Sequence, residues 1–513
     1  MLTKVKSFGL NGLDGYLVDV EVDVSAGMPS YDIVGLGDTA IKESKFRVKS
    51  AIRNSLYQFP IDKVTINLAP ADTKKEGSLY DLAIAVGILV CQGVLDKNKV
   101  KEFAYVGELS LDGSIKKVNG ILPILITAKE LGIKKVIVPK ENAFEASYIE
   151  NIEAYCCSNI IELVEYLQGL REIEKIEYKR FEDIKQINKG QDDFKYVKGQ
   201  ALAKRALEIS ASGGHNCIMV GPPGSGKSML AKCLPSILPD LTFEEALEVT
   251  KIHSIAGVLD ANVGIITNRP FRSPHHTTTT PALVGGGRTA KPGEISLSHN
   301  GVLFLDEFPE YPRTAIETLR QPLEDSKISI SRVQQTIEYP ANVMLIASMN
   351  PCPCGYYGQG PNKCKCTPSQ IIKYRNKLSG PIMDRIDLHV EVDGVNYSDL
   401  TSREYEESSE SIKARVEKAR NIQLKRFAND KNFCNAKMNN EQIKKYCKLD
   451  EDGEDILKMA FEVYDLSARA YSRILKVART IADLDNSENI LVEHLTEALQ
   501  YRNLDKKDGE DIC

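Results

Sequence analysis

The run Gly221-Pro222-Pro223-Gly224-Ser225-Gly226-Lys227-Ser228 carries the most specific chemistry in the chain. Glycines at these spacings let backbone N–H groups turn inward on phosphate oxygens, and a helix beginning here adds the positive end of its dipole. Lys227 is placed to meet the outer phosphates of a nucleoside triphosphate, and the Ser228 hydroxyl to ligand Mg²⁺. The apolar run Cys217 to Val220 precedes the loop and a helical pattern from Met229 to Leu234 follows it, so Met229 completes an ATP-binding set. Further on, the apolar residues Val302 to Leu305 lead into Asp306-Glu307. Two carboxylates at the C-terminal end of a buried strand suit holding the Mg²⁺ shell (Asp306) and polarising the attacking water (Glu307).

A third apolar run, Val343 to Ser348, ends in Met349-Asn350. A polar strand tip can orient water against the γ-phosphate, whereas Asn-Pro by itself is a turn signal. The order of glycine loop, acidic strand and Asn-tipped strand favours the first reading.

With these motifs in hand, the middle of the chain resembles an AAA+ ATPase. The resemblance implies that Val197-Lys198-Gly199-Gln200 packs against adenine. It implies that Asp384-Arg385-Ile386-Asp387 carries an arginine finger, with Arg385 reaching the neighbouring subunit's γ-phosphate. The alternative for Arg385 is a salt bridge with Asp384 or Asp387. Arg469, in Ser467-Ala468-Arg469, resembles the second sensor, with Arg473 one turn away as the rival. An arginine acting in trans requires a ring, and the family forms hexamers.

The segment Ala261 to Gly293 contains no Asp or Glu over 33 residues, in a chain that is 27% charged. It carries Arg269, Arg272, Arg288 and Lys291, together with His275-His276. Adjacent histidines on an extended strand point to opposite faces, which argues against a shared metal. Alternation around Lys327 to Glu338 predicts a β-hairpin, adding Lys327 and Arg332 to the exposed cations. An insert in the second helix with a hairpin before the first sensor resembles the AAA+ branch of the magnesium-chelatase ATPase subunit and the replicative MCM helicases. That resemblance implies DNA-gripping elements in a ring pore, where repeated local charge serves a mildly acidic subunit. Packing of these arginines against neighbouring subunits is the alternative.

Cys352-Pro353-Cys354 and Cys364-Lys365-Cys366 place four cysteines within 15 residues. Four thiolates could surround tetrahedral Zn²⁺, although Cys-x-Cys is tighter than the usual two-residue gap. A reduced cysteine-rich loop is the other reading. The cluster is given no catalytic role.

These residues need scaffolding, and 513 residues at ~150 per domain suggest about three domains. The composition, 42% hydrophobic with a formal net charge of −5, is an ordinary globular balance, and alternating strand and helix patterns predict an α/β multidomain chain. The net charge gives no global reason to bind nucleic acid, so any such surface is local. No stretch approaches the ~18 apolar residues of a membrane span. Met1 to Gly12 reads as polar and glycine-punctuated, unlike a signal peptide. The expectation is a cytoplasmic protein with no membrane association. Residues 1–175 mix strands (Val64 to Leu68, Val136 to Pro139) with apolar helices and a hairpin around Asp112-Gly113. Residues 176–193 read as a charged linker, and 194–395 as an ATPase core with a parallel sheet. Residues 396–503 read as a helical lid, with helical periodicity running through Tyr464 to Leu484. Residues 504–513 read as a charged tail.

Gly107 to Ile115, Val118-Asn119-Gly120, Gly132 to Asn142 and Lys75-Glu76-Gly77-Ser78 resemble the Lon protease domain, an α+β fold. That family's dyad serine falls on Leu79, beside Ser78, and its lysine on Leu122. Leucine neither attacks a carbonyl nor accepts a proton, so no peptidase activity is expected. Over nearly its whole length the chain resembles the ComM/YifB family of bacterial Mg-chelatase-like AAA+ ATPases. Leu378-Ser379-Gly380-Pro381 through Val390 and the run Ala478 to Leu484 carry that likeness. The resemblance implies a hexameric, DNA-stimulated ATPase that uses ATP and Mg²⁺. Its expected role is helicase and branch-migration work on single-stranded or branched DNA, alongside recombination proteins, in competence and DNA uptake. The alternative is a chelatase-like or protein-remodelling ATPase acting with a partner protein.

Overall fold

Asp14–Ser25 alternates Val18, Val20 and Val22, all buried, with Asp19, Glu21 and Asp23 on the other face. Period-two burial of this kind specifies a strand with one covered side. In the computed structural model it is the third strand of a seven-stranded mixed sheet. The order is Ser30–Val34, Lys63–Ala69, Asp14–Ser25, Leu2–Asn11, Phe103–Tyr105, Lys135–Pro139, Glu153–Cys157. The model describes residues 1–71, 73, 75–184, 192–260, 262–287, 290–331, 336–360, 363–394, 406–428, 434–464 and 466–502. The helix Asp81–Cys91 is apolar on nearly every side and buried from Leu82 to Val90. Gly87 lets it settle on the sheet, since a Cβ there would lie 2.5 Å from Val22 Cγ2. The expected hairpin forms between Glu108–Leu109 and Ile115–Lys116, with Gly113 at φ +87°.

The second block is built on a five-stranded sheet in which every pairing is parallel. Its order is Phe271–Arg272, Val302–Leu305, Met344–Met349, Cys217–Val220, Leu388–Glu391. The first strand in sequence thus lies between the fourth and the fifth. This is a reversal of winding, where crevices open at the carboxyl ends of strands. The expected strands at 216–220, 301–305 and 343–348 are all present within a residue of their predicted limits. The predicted hairpin is Lys327–Ser331 paired with Thr336–Pro340.

C-terminal helices Ser409–Arg426 and Ala468–Leu484 pack on Ala201–Gly213 and share one apolar core with the P-loop block. The periodic run from Tyr464 is interrupted. One helix, Glu451–Tyr464, ends there, and Ser467 caps the next by accepting from Ala470 N at 3.1 Å. The cap overrides the apolar period because an N-cap residue must leave helical dihedrals. The segment read as a linker is also tied down. Ile176 N donates to Ala154 O at 2.9 Å, and the buried Phe181 meets Phe243 edge-on at 5.6 Å. Among the described residues no helix is long and apolar enough to cross a membrane.

Asp387 joins sheet to lid. It is buried, lies 3.1 Å from His215 Nδ1, and is ion-paired with Arg473 of the lid helix. Burial alone would raise its carboxyl, but the Arg473 guanidinium and the His215 ring hold it well below the ordinary carboxylate range. A depressed carboxyl stabilises the fold above its unfolded value, and this contribution fades as pH falls below about 4. Asp387→Ala strands a largely buried guanidinium and should cost about 3 kcal/mol. Urea unfolding followed by circular dichroism checks this, with the difference from wild type shrinking in acid.

Candidate functional site

The strand tips converge. Val220 pairs with Met349 and with Glu391, so the P-loop and the Asn-tipped strand end side by side. Gly224 and Gly226 adopt φ +78° and +89°, and a Cβ at either would meet open space. The loop therefore leaves a cradle of inward backbone groups. Gly221 cannot carry a side chain, since its Cβ would lie 2.2 Å from Val392 O. Helix Lys227–Cys233 begins directly behind the loop. Pro223 to Met229, Asp306, Glu307, Ser348, Met349 and Asn350 line one cleft of about 450 Å³. Of the predicted ATP-binding residues 221–229, Gly221 and Pro222 instead give carbonyls to Lys227 Nζ, each at 2.8 Å. Burial pulls the Lys227 ammonium below its ordinary value. Among the described residues its hydrogen-bond partners are carbonyls and Ser225 Oγ, 3.3 Å away, a setting that suits polyphosphate oxygens.

Ser228 Oγ donates to Asp306 Oδ2 at 2.7 Å. Hydroxyl and carboxylate are thus together, the donor set that would hold Mg²⁺, which would neutralise phosphate charge. Ser348, which the sequence reading missed, donates to the other oxygen of Asp306. Its only sequence signal is a hydroxyl in an otherwise apolar buried strand. Glu307 sits at φ +51°, and its N–H faces Asp306 Oδ1 at 3.1 Å. Its carboxylate lies 3.3 Å from His276 Nδ1. Gln200 donates to Ser225 O and Asp393 O, which closes the segment 197–200 over the loop's other side.

Arg385 is placed differently. Leu388 pairs with Cys217, so the residues just before Leu388 stand at the sheet edge away from the phosphates. Asn216 Nδ2 fixes Arg385 O at 2.9 Å. The guanidinium pairs with Glu324 and donates to Pro381 O at 2.5 Å, rather than bonding Asp384 or Asp387. Arg469 is exposed and outside the cleft. It acts on Glu324 together with Arg385 and Arg473, while Arg473 itself bonds Asp387. The two sensor candidates therefore gather beside Arg385, not beside the chain's own P-loop.

The basic candidates divide. Arg269 is not a surface cation: its guanidinium donates to Pro239 O (2.6 Å), Asn300 O (2.8 Å) and Glu245 (2.9 Å). Arg272 grips Glu294 with two bonds of 2.6 and 2.8 Å. The acid-free window misled because both partners lie outside it. Lys291 is exposed, and Lys327 is exposed beside Glu338 at 3.0 Å. Arg288 and Arg332 lie outside the described residues. The insert's Gly285-Gly286 and Lys291-Pro292 form a small hairpin packed on the 327–340 hairpin, through Ile330 near Gly285 and Tyr339 Oη donating to Ala290 O at 3.0 Å. The histidines do not point apart. The strand ends at Arg272, and the two rings lie 4.1 Å apart in the turn beyond it.

The four cysteine sulfurs lie within 4.8 Å of one another. Cys352 to Cys354, Cys352 to Cys364 and Cys354 to Cys364 measure 3.4, 3.7 and 3.6 Å. Metal–sulfur bonds of about 2.3 Å in a tetrahedron require sulfurs about 3.8 Å apart, so the donors fit Zn²⁺. Backbone N–H groups of Tyr356 and Lys365 pull the Cys354 thiol down to about 6. The knuckle abuts the cleft, since a Cβ on Gly355 would strike Pro223 Cδ at 2.5 Å and approach Asn350 at 3.7 Å. In the first block, Leu79 and Leu122 are buried in the apolar core, and Ser78 donates to Glu108.

Three family models match in succession: subunit ChlI of Mg-chelatase over residues 20–142, magnesium chelatase subunit ChlI over 193–400, and its C-terminal region over 406–502. The competence protein ComM of Haemophilus influenzae is 41% identical over 493 residues, 96% of this chain and 95% of its own. The YifB protein of Escherichia coli is 43% identical over 500 residues, 96% of each chain. A Lon protease of Lachnoclostridium phytofermentans is 24% identical over 164 residues, 30% of this chain and 20% of its own. By these matches over nearly its whole length, the chain belongs to the ComM/YifB family of Mg-chelatase-like proteins.

Proposed function

We propose that this chain is a Mg²⁺-dependent ATPase that works as a ring, a homo-hexamer, and moves on DNA to remodel branched recombination intermediates. The observation that carries the reading is the separation of Arg385 from its own P-loop, at opposite edges of one sheet. A guanidinium so placed serves a neighbour's phosphates, and the site is finished only between two copies. In this reading Lys227 and the loop amides bind phosphate, and Ser228 and Asp306 hold Mg²⁺. Glu307 polarises water, Asn350 orients it, and Arg385 with Arg469 reaches across. DNA as the track is supported by the two packed hairpins bearing Lys291 and Lys327. It is supported also by the name of the Haemophilus relative, a competence protein.

A second reading, a chelatase-type motor driving a partner protein, is favoured by the magnesium-chelatase family models. The two separate by ATPase stimulation: forked DNA supports the first, and stimulation by protein partners alone supports the second. Peptidase activity belongs to neither, because leucines stand at both dyad positions.

Glu307→Gln and Arg385→Ala should each lower ATP turnover by about a hundredfold or more, since an arginine finger is worth roughly 10³–10⁵ in kcat and Glu307 is the group placed to activate water. Mixed one to one, the two inactive variants should recover up to about a quarter of the wild-type rate, because some interfaces then pair an intact glutamate with an intact arginine. No recovery would mean that Arg385 serves its own subunit.

The cysteine knuckle is proposed to hold one structural Zn²⁺ per chain, stiffening the loop against Pro223 and Asn350. Metal analysis of the purified protein should give one zinc per chain. Cys364→Ser with Cys366→Ser should lose it and weaken nucleotide binding, read by titration of a fluorescent ATP analogue.

A further inference from the structure

Between Glu338 and Asp384 the chain has no Asp or Glu, while Lys363, Lys365, Lys373, Arg375 and Lys377 fall inside that interval. Such a stretch deceives when its cations are paired across the fold, as Arg269 and Arg272 are. Here the fold leaves most of them open. Lys363, Lys365 and Lys373 are exposed and have no ion-pair partner among the described residues. Arg375 lies over the Tyr357 ring at 5.5 Å, which ties the helix Pro368–Arg375 to the cysteine loop. Lys377 pairs with Glu310 at 3.0 Å. The helix starts directly after Cys366 and is capped reciprocally, Thr367 N donating to Gln370 Oε1 at 2.9 Å. Ile371 and Tyr374 are buried, which turns the stripe Ser369, Ile372, Lys373 and Asn376 outward. That stripe and the segment Pro309 to Arg313 wall a groove of about 840 Å³. Arg313 is exposed and, like the three lysines, has no ion-pair partner among the described residues. With Arg313, Lys373 and Lys377 set against Glu310, the groove keeps a positive surplus. The two hairpins offer less, since Lys327 is taken by Glu338 and Lys291 Nζ lies 3.5 Å from Ala256 O.

We propose that the face formed by the cysteine loop and the helix Pro368–Arg375 binds the sugar–phosphate backbone of DNA, with Arg313, Lys363, Lys365 and Lys373 as its phosphate contacts. This rests on the DNA reading and names a contact surface apart from the hairpins. A phosphate neutralised by lysine or arginine sheds its condensed counterions, and that release drives binding. None of the four cations has to surrender an ion pair first, so the gain is not spent on breaking one. The stretch has no carboxylate of its own to repel the strand, and Glu310 is already neutralised by Lys377. An ammonium is a point charge that reads no base edge, so the surface positions DNA without selecting sequence. The gathered sulfurs order the loop, and Lys363 and Lys365 flank Cys364 on it. The cysteine loop thus presents cations that a floppy segment would pay entropy to align.

The test is the fluorescence anisotropy of a labelled single-stranded oligonucleotide, titrated with the full chain and a slowly hydrolysed ATP analogue over a series of KCl concentrations. Each cation that neutralises a phosphate steepens the plot of log affinity against log salt by about 0.7. Arg313→Gln, Lys363→Gln, Lys365→Gln and Lys373→Gln combined should flatten that plot by about two or more and weaken binding about tenfold or more at roughly 0.1 M salt. Lys363→Arg, Lys365→Arg and Lys373→Arg combined keep the charge and should keep the slope. DNA-free ATP turnover should stay within about twofold of wild type in both variants, with ring assembly by size exclusion unaltered, since none of the four residues lines the nucleotide cleft. An unchanged salt slope in the Gln variant overturns the proposal even where affinity falls, because the lost contacts were then not to phosphate. Loss of the ring in that variant overturns it too, and makes this face a contact between subunits. A wild-type chain that binds no oligonucleotide at low salt overturns the DNA reading itself and this inference with it.

Discussion

Parallel register in the five-stranded sheet is the constraint on which the rest of the structure depends. Because Val220, Met349 and Glu391 share one edge, phosphate cradle, Asn350 and the Asp306–Ser228 pair are delivered to a single crevice. Because Asn216 and Leu388 share the other, Arg385 is held away from it. One hydrogen-bond ladder thus gathers the cleft residues at one end and, in the proposed reading, the cation that serves a neighbour at the other. A slip of the Leu388 strand would displace Arg385 and the bond from Val392 N to Val220 O together. Asp387 guards against that, since it is bonded by both His215 and Arg473.

What could be read in the sequence was what local physics determines. The glycine loop, the acidic strand and the hairpin around Asp112-Gly113 each declare themselves through spacing and turn chemistry within a dozen residues. The long N-terminal strand Leu2–Asn11 did not, because two of its inward positions are Thr3 and Ser7. Both are polar, and of the two Ser7 is satisfied by tertiary bonding, its Oγ donating to Tyr105 O at 2.8 Å. Arg269 and Arg272 looked like a basic surface for the converse reason. Their partners Glu245 and Glu294 stand 24 and 22 residues away. Charge counted along a window cannot see charge paired across a fold. The histidine pair was misjudged at its premise, since opposite faces hold only where a strand persists and this one stops at Arg272.

The site is therefore better described by what each group is prevented from doing. Lys227, buried, is turned onto carbonyls of its own loop. Ser228 and Asp306 satisfy one another. Arg385 is neutralised by Glu324. Glu307, with its left-handed backbone, faces His276. These five groups each have a partner inside the chain, and in the proposed reading phosphate, metal or a neighbouring subunit would replace it. Exchanging one satisfied pairing for another costs far less than unveiling a bare charge.

The first block shows the same economy in a domain without the dyad residues. Where a base would stand, Leu122 is buried and its N–H donates to Glu145 at 3.1 Å. The adjacent Gly120 N donates to Ser254 Oγ at 2.9 Å, and Ser254, on the helix Phe243–Ala256 of the ATPase block, donates in turn to Glu145. Lys117 reaches Leu259 O at 2.9 Å, and a Cβ on Gly264 would collide with Phe144 O at 2.4 Å. Burial pushes the Glu145 carboxyl upward, while hydrogen bonds from Ser254, Leu122 and Asn142 restrain it. The turn at 120–122 presents backbone N–H groups and a buried carboxylate to a helix. That helix opens the segment leading to His276, so the first block is bonded to the element from which the insert departs. Such a seam is polar at its centre and apolar around Phe181 and Phe243. It fixes position through hydrogen bonds that only one docking geometry satisfies.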